Sequence, residues 1–77
     1  MSIENQVKEI LSILLNIEVN DNTTMNNCDS WDSMKHIEII TTLEDEMDVS
    51  FEISDIPKLT SFKLLVEKIK EIKGDRV

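Results

Sequence analysis

The chain of 77 residues is 40% hydrophobic, yet it holds only two Phe, one Trp and no Tyr, with a single Gly and a single Pro. Its formal net charge of −8 disfavours nucleic acid as a partner, because phosphates repel an acidic surface. One Cys and one His exclude an internal disulfide and a Cys–His zinc site, and no apolar run approaches the roughly 20 residues of a membrane-spanning helix.

A chain this short forms one domain, residues 1–77, and buries roughly 60–65% of its unfolded surface. Few turn formers and many aliphatic side chains point to an all-α fold. The start, Met1-Ser2-Ile3-Glu4-Asn5, lacks the basic and apolar regions of a signal peptide, so a cytoplasmic location is expected.

Ser2 is a plausible N-cap for a first helix over Ile3 to about Ile17, in which Ile3, Val7, Ile10, Leu11, Leu14 and Ile17 recur at helical spacing. Glu18 to Trp31 is rich in Asn, Asp and Thr and reads as a loop whose length points to function or mobility. Val19, Met25 and Trp31 are its expected anchors in the core. Asp32 is of the N-cap type and opens a second helix from about Ser33 to Met47. Met34, Ile37, Ile39 or Ile40, Leu43 and Met47 are its predicted apolar stripe.

Phe51 and Ile53 are expected to dip inward before a short helical turn at Ser54 to Lys58, which Pro57 limits. Thr60 or Ser61 then caps a final helix with the stripe Phe62, Leu65, Val66, Ile69 and Ile72. Lys68, Lys70 and Lys73 complement the dipole at its end, and Gly74 stops it. Asp75 to Val77 are expected to fray.

Charge is unevenly distributed. Between Cys28 and Pro57 stand Asp29, Asp32, Glu38, Glu44, Asp45, Glu46, Asp48, Glu52 and Asp55, against Lys35 as the one Lys or Arg. Such a block keeps a protein dissolved and favours basic protein surfaces. Ser33 lies within it at the first helical position, where backbone N–H groups lacking intrahelical partners attract an anion such as a phosphodiester.

Asp32-Ser33-Met34 at a helix start, the acidic segment after it, the Phe51 to Leu59 connection and the final amphipathic helix together resemble the acyl carrier protein family. The resemblance spans roughly Ile3 to Ile72. It implies a small four-helix bundle of three longer helices and one short one, with a long loop between helices one and two. It also implies that a phosphopantetheinyl transferase moves 4′-phosphopantetheine from coenzyme A to Ser33, with Asp32 assisting and Met34 matching the family's leucine. The arm then holds an acyl group as a thioester, so the reactive atom is the cofactor's and the protein is no enzyme. Lys35, Glu38, Glu44 and Asp45 are the implied docking residues for acyl-loading and acyl-transfer enzymes with basic surfaces, with Glu38, Glu44 and Asp45 expected to be exposed. Ile40, Leu43, Met47, Phe51, Ile56 and Leu59 match the lining of the acyl pocket. No metal ligand is implied, and a monomer is expected.

This chain departs from fatty-acid carriers at three positions. Trp31 precedes the Asp-Ser pair where a small residue is common. Lys35 stands where an acid is common, and Ile56 where a small side chain is common. These departures favour a specialised pathway in lipid or polyketide synthesis over housekeeping fatty acid biosynthesis, and a narrowed acyl space. A peptidyl or aminoacyl cargo is an alternative, as is an unmodified bundle serving as an interaction module.

Asp32, Ser33 and His36 also lie within one helical turn, as a hydrolase triad would. An exposed helix start supplies neither pocket nor oxyanion hole, which argues against that reading and against a Cys28–His36 dyad. His36 is therefore expected at the surface, at most a weak neighbour of an attached phosphate. A calcium loop beginning at Asp21 would place Met25 fifth and Asn26 sixth, breaking the ligand and glycine pattern.

Overall fold

The computed structural model of the protein describes residues 2–74, so the expected frayed end at Asp75 to Val77 lies outside the described residues. Three α-helices, α1 (Ile3–Leu15), α2 (Ser33–Met47) and α3 (Phe62–Lys73), carry the fold, and the short fourth element is a single 3₁₀ turn, Ile56–Lys58. Each α-helix begins at a polar side chain in extended backbone. Ser2, Asp32 and Ser61 accept the amides of Asn5, Lys35 and Leu64, so each satisfies one donor that helix geometry leaves open.

Helix ends are set by left-handed residues. Gly74 takes φ 72° after α3, but Asn16 (φ 57°) and Asp48 (φ 56°) do the same work after α1 and α2. The stop at Asn16 ends α1 two residues before Ile17, which is left 39% exposed outside the expected stripe. Leu15, absent from that stripe, is buried instead.

α1 packs against both α2 and α3. Val7, Leu11 and Leu15 of α1 meet Ile39, Leu43 and Met47 of α2 and Phe62, Leu65 and Ile69 of α3 in one buried cluster. Val19 and Trp31 anchor the long loop in this core as expected, and Met25 is half-buried against it. Phe51 turns inward, but Ile53 is 86% exposed, because residues 53–55 form a turn at the surface ahead of the 3₁₀ helix. Ile72 lies one turn past the packed part of α3 and is 39% exposed.

The polar loop is held in place at several points. Met25 N donates to Thr60 O at 2.8 Å and Phe62 N to Thr23 O at 3.0 Å, an antiparallel clasp centred on Thr24 and Ser61. Ser30 Oγ donates to Leu15 O at 2.9 Å, tying the loop's far end to α1. Within the loop, Thr23 Oγ1, Asn20 Oδ1 and Asn27 Oδ1 accept backbone amides, which explains its Asn and Thr content. These bonds deliver Trp31 and Asp32 to a fixed position at the head of α2.

Candidate functional site

The site is built on the first turn of α2. Asp32 has extended backbone, its Oδ1 accepts Lys35 N at 2.8 Å, and its carbonyl accepts His36 N at 2.8 Å. Ser33 is thereby the first helical residue, and it is exposed. The amides of Ser33 and Met34 precede the first intrahelical bond and so lack helical partners. Met34 is 84% exposed and Ile37 56%, an apolar surface next to the serine.

This exposure revises the predicted stripe of α2. Met34 and Ile37 lie outside it, and the buried row is His36, Ile39, Ile40, Leu43 and Met47. His36 was expected at the surface and is instead only 5% exposed. The signal was in the sequence: positions 36, 40, 43 and 47 share one helical phase, but a polar residue type at the head of that row masks it.

His36 is held on both ring nitrogens. Trp31 Nε1 lies 3.1 Å from Nδ1, and Nε2 lies 2.8 Å from the carbonyl oxygen of Ile56. An indole N–H can only donate, so Nδ1 accepts and the ring's proton resides on Nε2, where it is donated to Ile56 O. The Trp31 and His36 rings also stack, with centroids 6.0 Å apart. With both nitrogens engaged, His36 has no lone pair left to activate Ser33 as a base, which removes the geometric footing of a hydrolase triad.

Ser33 opens onto a groove of about 350 Å³, lined also by Met25, His36, Ile37, Ile56, Pro57 and Thr60. It joins the long loop, the first turns of α2 and the 3₁₀ turn. Of the six residues matched to an acyl pocket, Ile56 alone lines this groove, and it is half-buried. Ile40, Leu43, Met47, Phe51 and Leu59 belong to the closed core beyond it.

The acids of α2 separate into two kinds. Glu38 and Asp45 are exposed, and Glu38 pairs with Lys35 at 2.9 Å. Glu44, expected to be exposed like them, is half-buried because its Oε2 accepts Phe51 N at 2.9 Å. Cys28 is a buried free thiol whose Sγ lies 3.3 Å from Ser30 Oγ. Among the described residues no helix is long and apolar enough to cross a membrane.

No protein-family model and no curated protein matches the chain. Among solved structures it is similar to the solution NMR structure of the holo acyl carrier protein from Geobacter metallireducens, at 22% identity and a TM-score of 0.82. The superposition covers 96% of this chain and 88% of that one. The order α1, long loop, α2, 3₁₀ turn, α3 is therefore the fold of an acyl carrier protein.

Proposed function

We propose that this protein is an acyl carrier, modified on Ser33 with 4′-phosphopantetheine and presenting a thioester-bound acyl group to partner enzymes. The observation that carries this reading is the exposed Ser33 at the first position of α2, in an acyl carrier fold, beside an apolar groove that begins at the serine itself. The residues present fit such an arm. The hydroxyl is open to solvent, two neighbouring amides lack helical partners, and the groove offers an apolar floor.

In modification, Ser33 Oγ forms the new bond to the phosphate that bears pantetheine. The pyrophosphate bond of coenzyme A breaks, adenosine bisphosphate leaves, and the serine proton passes to the transferase. When attached, the arm supplies the thiol that carries the cargo. Asp32 fixes the helix start so that Ser33 faces outward, and Met34 offers an apolar contact to the transferase. Glu38 and Asp45 give the exposed face of α2 a negative field for basic surfaces of loading and transfer enzymes, and Lys35 trims that field beside the serine. The setting is cytoplasmic, in lipid, polyketide or another specialised synthesis.

Incubation with coenzyme A, magnesium and a broad-specificity transferase tests this. Intact mass should rise by one phosphopantetheine in the wild type and not at all in Ser33→Ala. Addition at Ser30 or Ser61 would refute the assignment of Ser33. No addition anywhere would favour an unmodified interaction module.

A further inference from the structure

Ser33, His36 or Ile37, and Ile40 follow one another along a single face of α2, one turn apart. His36 and Ile37 line the groove between Ser33 and the level of Ile40, and of the two His36 is the buried one. At that point the Nε2–H of His36 reaches across to the carbonyl of Ile56, 20 positions further along the chain, in a bond of 2.8 Å. This bond joins the two sides of the groove, α2 on one side and the 3₁₀ turn on the other. Trp31, only 2% exposed, donates to the other ring nitrogen and stacks on the ring, so the histidine has one orientation. The groove outside the bridge is open, whereas Ile39 and Leu43 behind it are fully buried and Ile40 nearly so.

We propose that His36 determines cargo specificity: its bridge from Trp31 to the Ile56 carbonyl closes the route from the Ser33 groove to the core. The cargo class this selects is the short acyl group, held in the outer groove with its thioester open to partner enzymes. A long alkyl chain gains nothing here, because the burial that would stabilise it, about 0.8 kcal/mol per methylene, lies behind the bridge. Turning His36 aside would break one buried and one half-buried hydrogen bond and strand the Trp31 indole donor.

The inference rests on the carrier reading, and one experiment separates their failures. Ser33 is loaded by the transferase from acetyl, hexanoyl and dodecanoyl coenzyme A, and intact mass reports loading. Absence of any acyl-phosphopantetheine mass overturns the carrier reading, and this inference with it. On the loaded wild type, melting temperature and the rate of thioester cleavage by hydroxylamine should not change with chain length, and the Trp31 indole proton should stay equally protected from exchange in all three forms. A melting temperature that climbs from acetyl to dodecanoyl, slower cleavage of the dodecanoyl form, or loss of indole protection in it would overturn the inference while leaving the carrier reading intact. In His36→Ala, the dodecanoyl thioester should become about tenfold more resistant to hydroxylamine than the acetyl one, a difference of about 1.4 kcal/mol. A folded His36→Ala that treats all lengths alike would also overturn it. Should that variant not fold, the wild-type series decides alone.

Discussion

Glu44 Oε2 accepts the amide of Phe51 at 2.9 Å, and that bond ties the last turns of α2 to the segment leading to the 3₁₀ turn. A hydrogen bond to a charged group contributes about 1.5–3 kcal/mol when sheltered, and half-burial reduces this to about 1 kcal/mol. Glu44→Ala should therefore lower the melting temperature by about 4–8 °C, measured by circular dichroism. Glu38 and Asp45 accept no backbone amide, so reversing both to Lys should change stability by no more than about 0.5 kcal/mol per site. The same reversal should slow modification of Ser33, as should added salt on the wild type, since exposed charges steer encounters and are screened within about 10 Å at 0.1 M salt. If modification is indifferent to both, the exposed Met34 and Ile37 carry recognition instead. Three acids on one helix thus divide by what their oxygens touch.

At the scale of elements, α2 has its one favourable dipole partner in the Asp32 cap, because the turn after the cap holds no acid and the last turn holds no base. Its start depends on the Asp32 cap. Asp32→Ala should cost about 1 kcal/mol, while Asp32→Asn, an equally good cap, should cost almost nothing. If Asp32→Asn nonetheless abolishes modification of Ser33 with the fold unchanged, Asp32 acts on the transferase as well as on the helix. α3 is tied to the turn before the 3₁₀ helix by Lys68, whose Nζ lies 3.0 Å from Asp55 Oδ2 and 3.3 Å from Glu71 Oε1. The hydrogen bond to Asp55, and secondarily that to Glu71, holds the Lys68 ammonium above its ordinary range. A raised lysine value means the folded state favours the charged form. Its contribution is complete below the ordinary lysine range and fades as pH rises through the raised value. Lys68→Met should thus lower the melting temperature slightly at neutral pH, with the gap from wild type closing in strong alkali. A gap that persists there would assign the effect to lost packing of the lysine stem.

For the whole molecule, the net charge of −8 is carried by the stretch from Cys28 to Pro57, which surrounds Ser33 and the exposed face of α2. Like charges concentrated in one stretch of a small domain raise the energy of the compact state. Moderate salt or millimolar magnesium should therefore raise the melting temperature, whereas a flat response across a salt series would mean that the acids are spaced widely enough in water not to interact. The loop from Glu18 to Trp31 adds to cohesion, since its backbone bonds reach the start of α3 and the Ser30 hydroxyl reaches the end of α1. Length alone suggested function or mobility there. The clasp at Thr24 and Ser61 and the burial of Val19 and Trp31 set it as a strap across the bundle.

The bounds of α2, the caps at Ser2 and Asp32, the α3 cap to within Thr60 or Ser61 (Ser61 in the structure), the buried row of α3 through Ile69 and the placing of Ser33 at a helix start were all legible in the residues. Each depends on neighbours within about one helical turn, and such neighbours are adjacent in the sequence. Local signals gave an all-α chain, and the acyl carrier fold was legible only through the resemblance carried by Asp32-Ser33-Met34, the acidic segment after it and the Phe51 to Leu59 connection. Three things were decided only when those elements packed. Asn16 and Asp48 ended helices without glycine, a choice made by backbone conformation that many Asn and Asp residues never adopt. Glu44 left the acidic surface to hold an amide seven residues away. His36 was drawn inward because its two hydrogen-bond partners, the Trp31 indole and the Ile56 carbonyl, come from the loop and from the 3₁₀ turn, and only the tertiary fold brings both to one side of α2. A polar side chain is buried where partners await it, and the sequence does not say where distant partners will be.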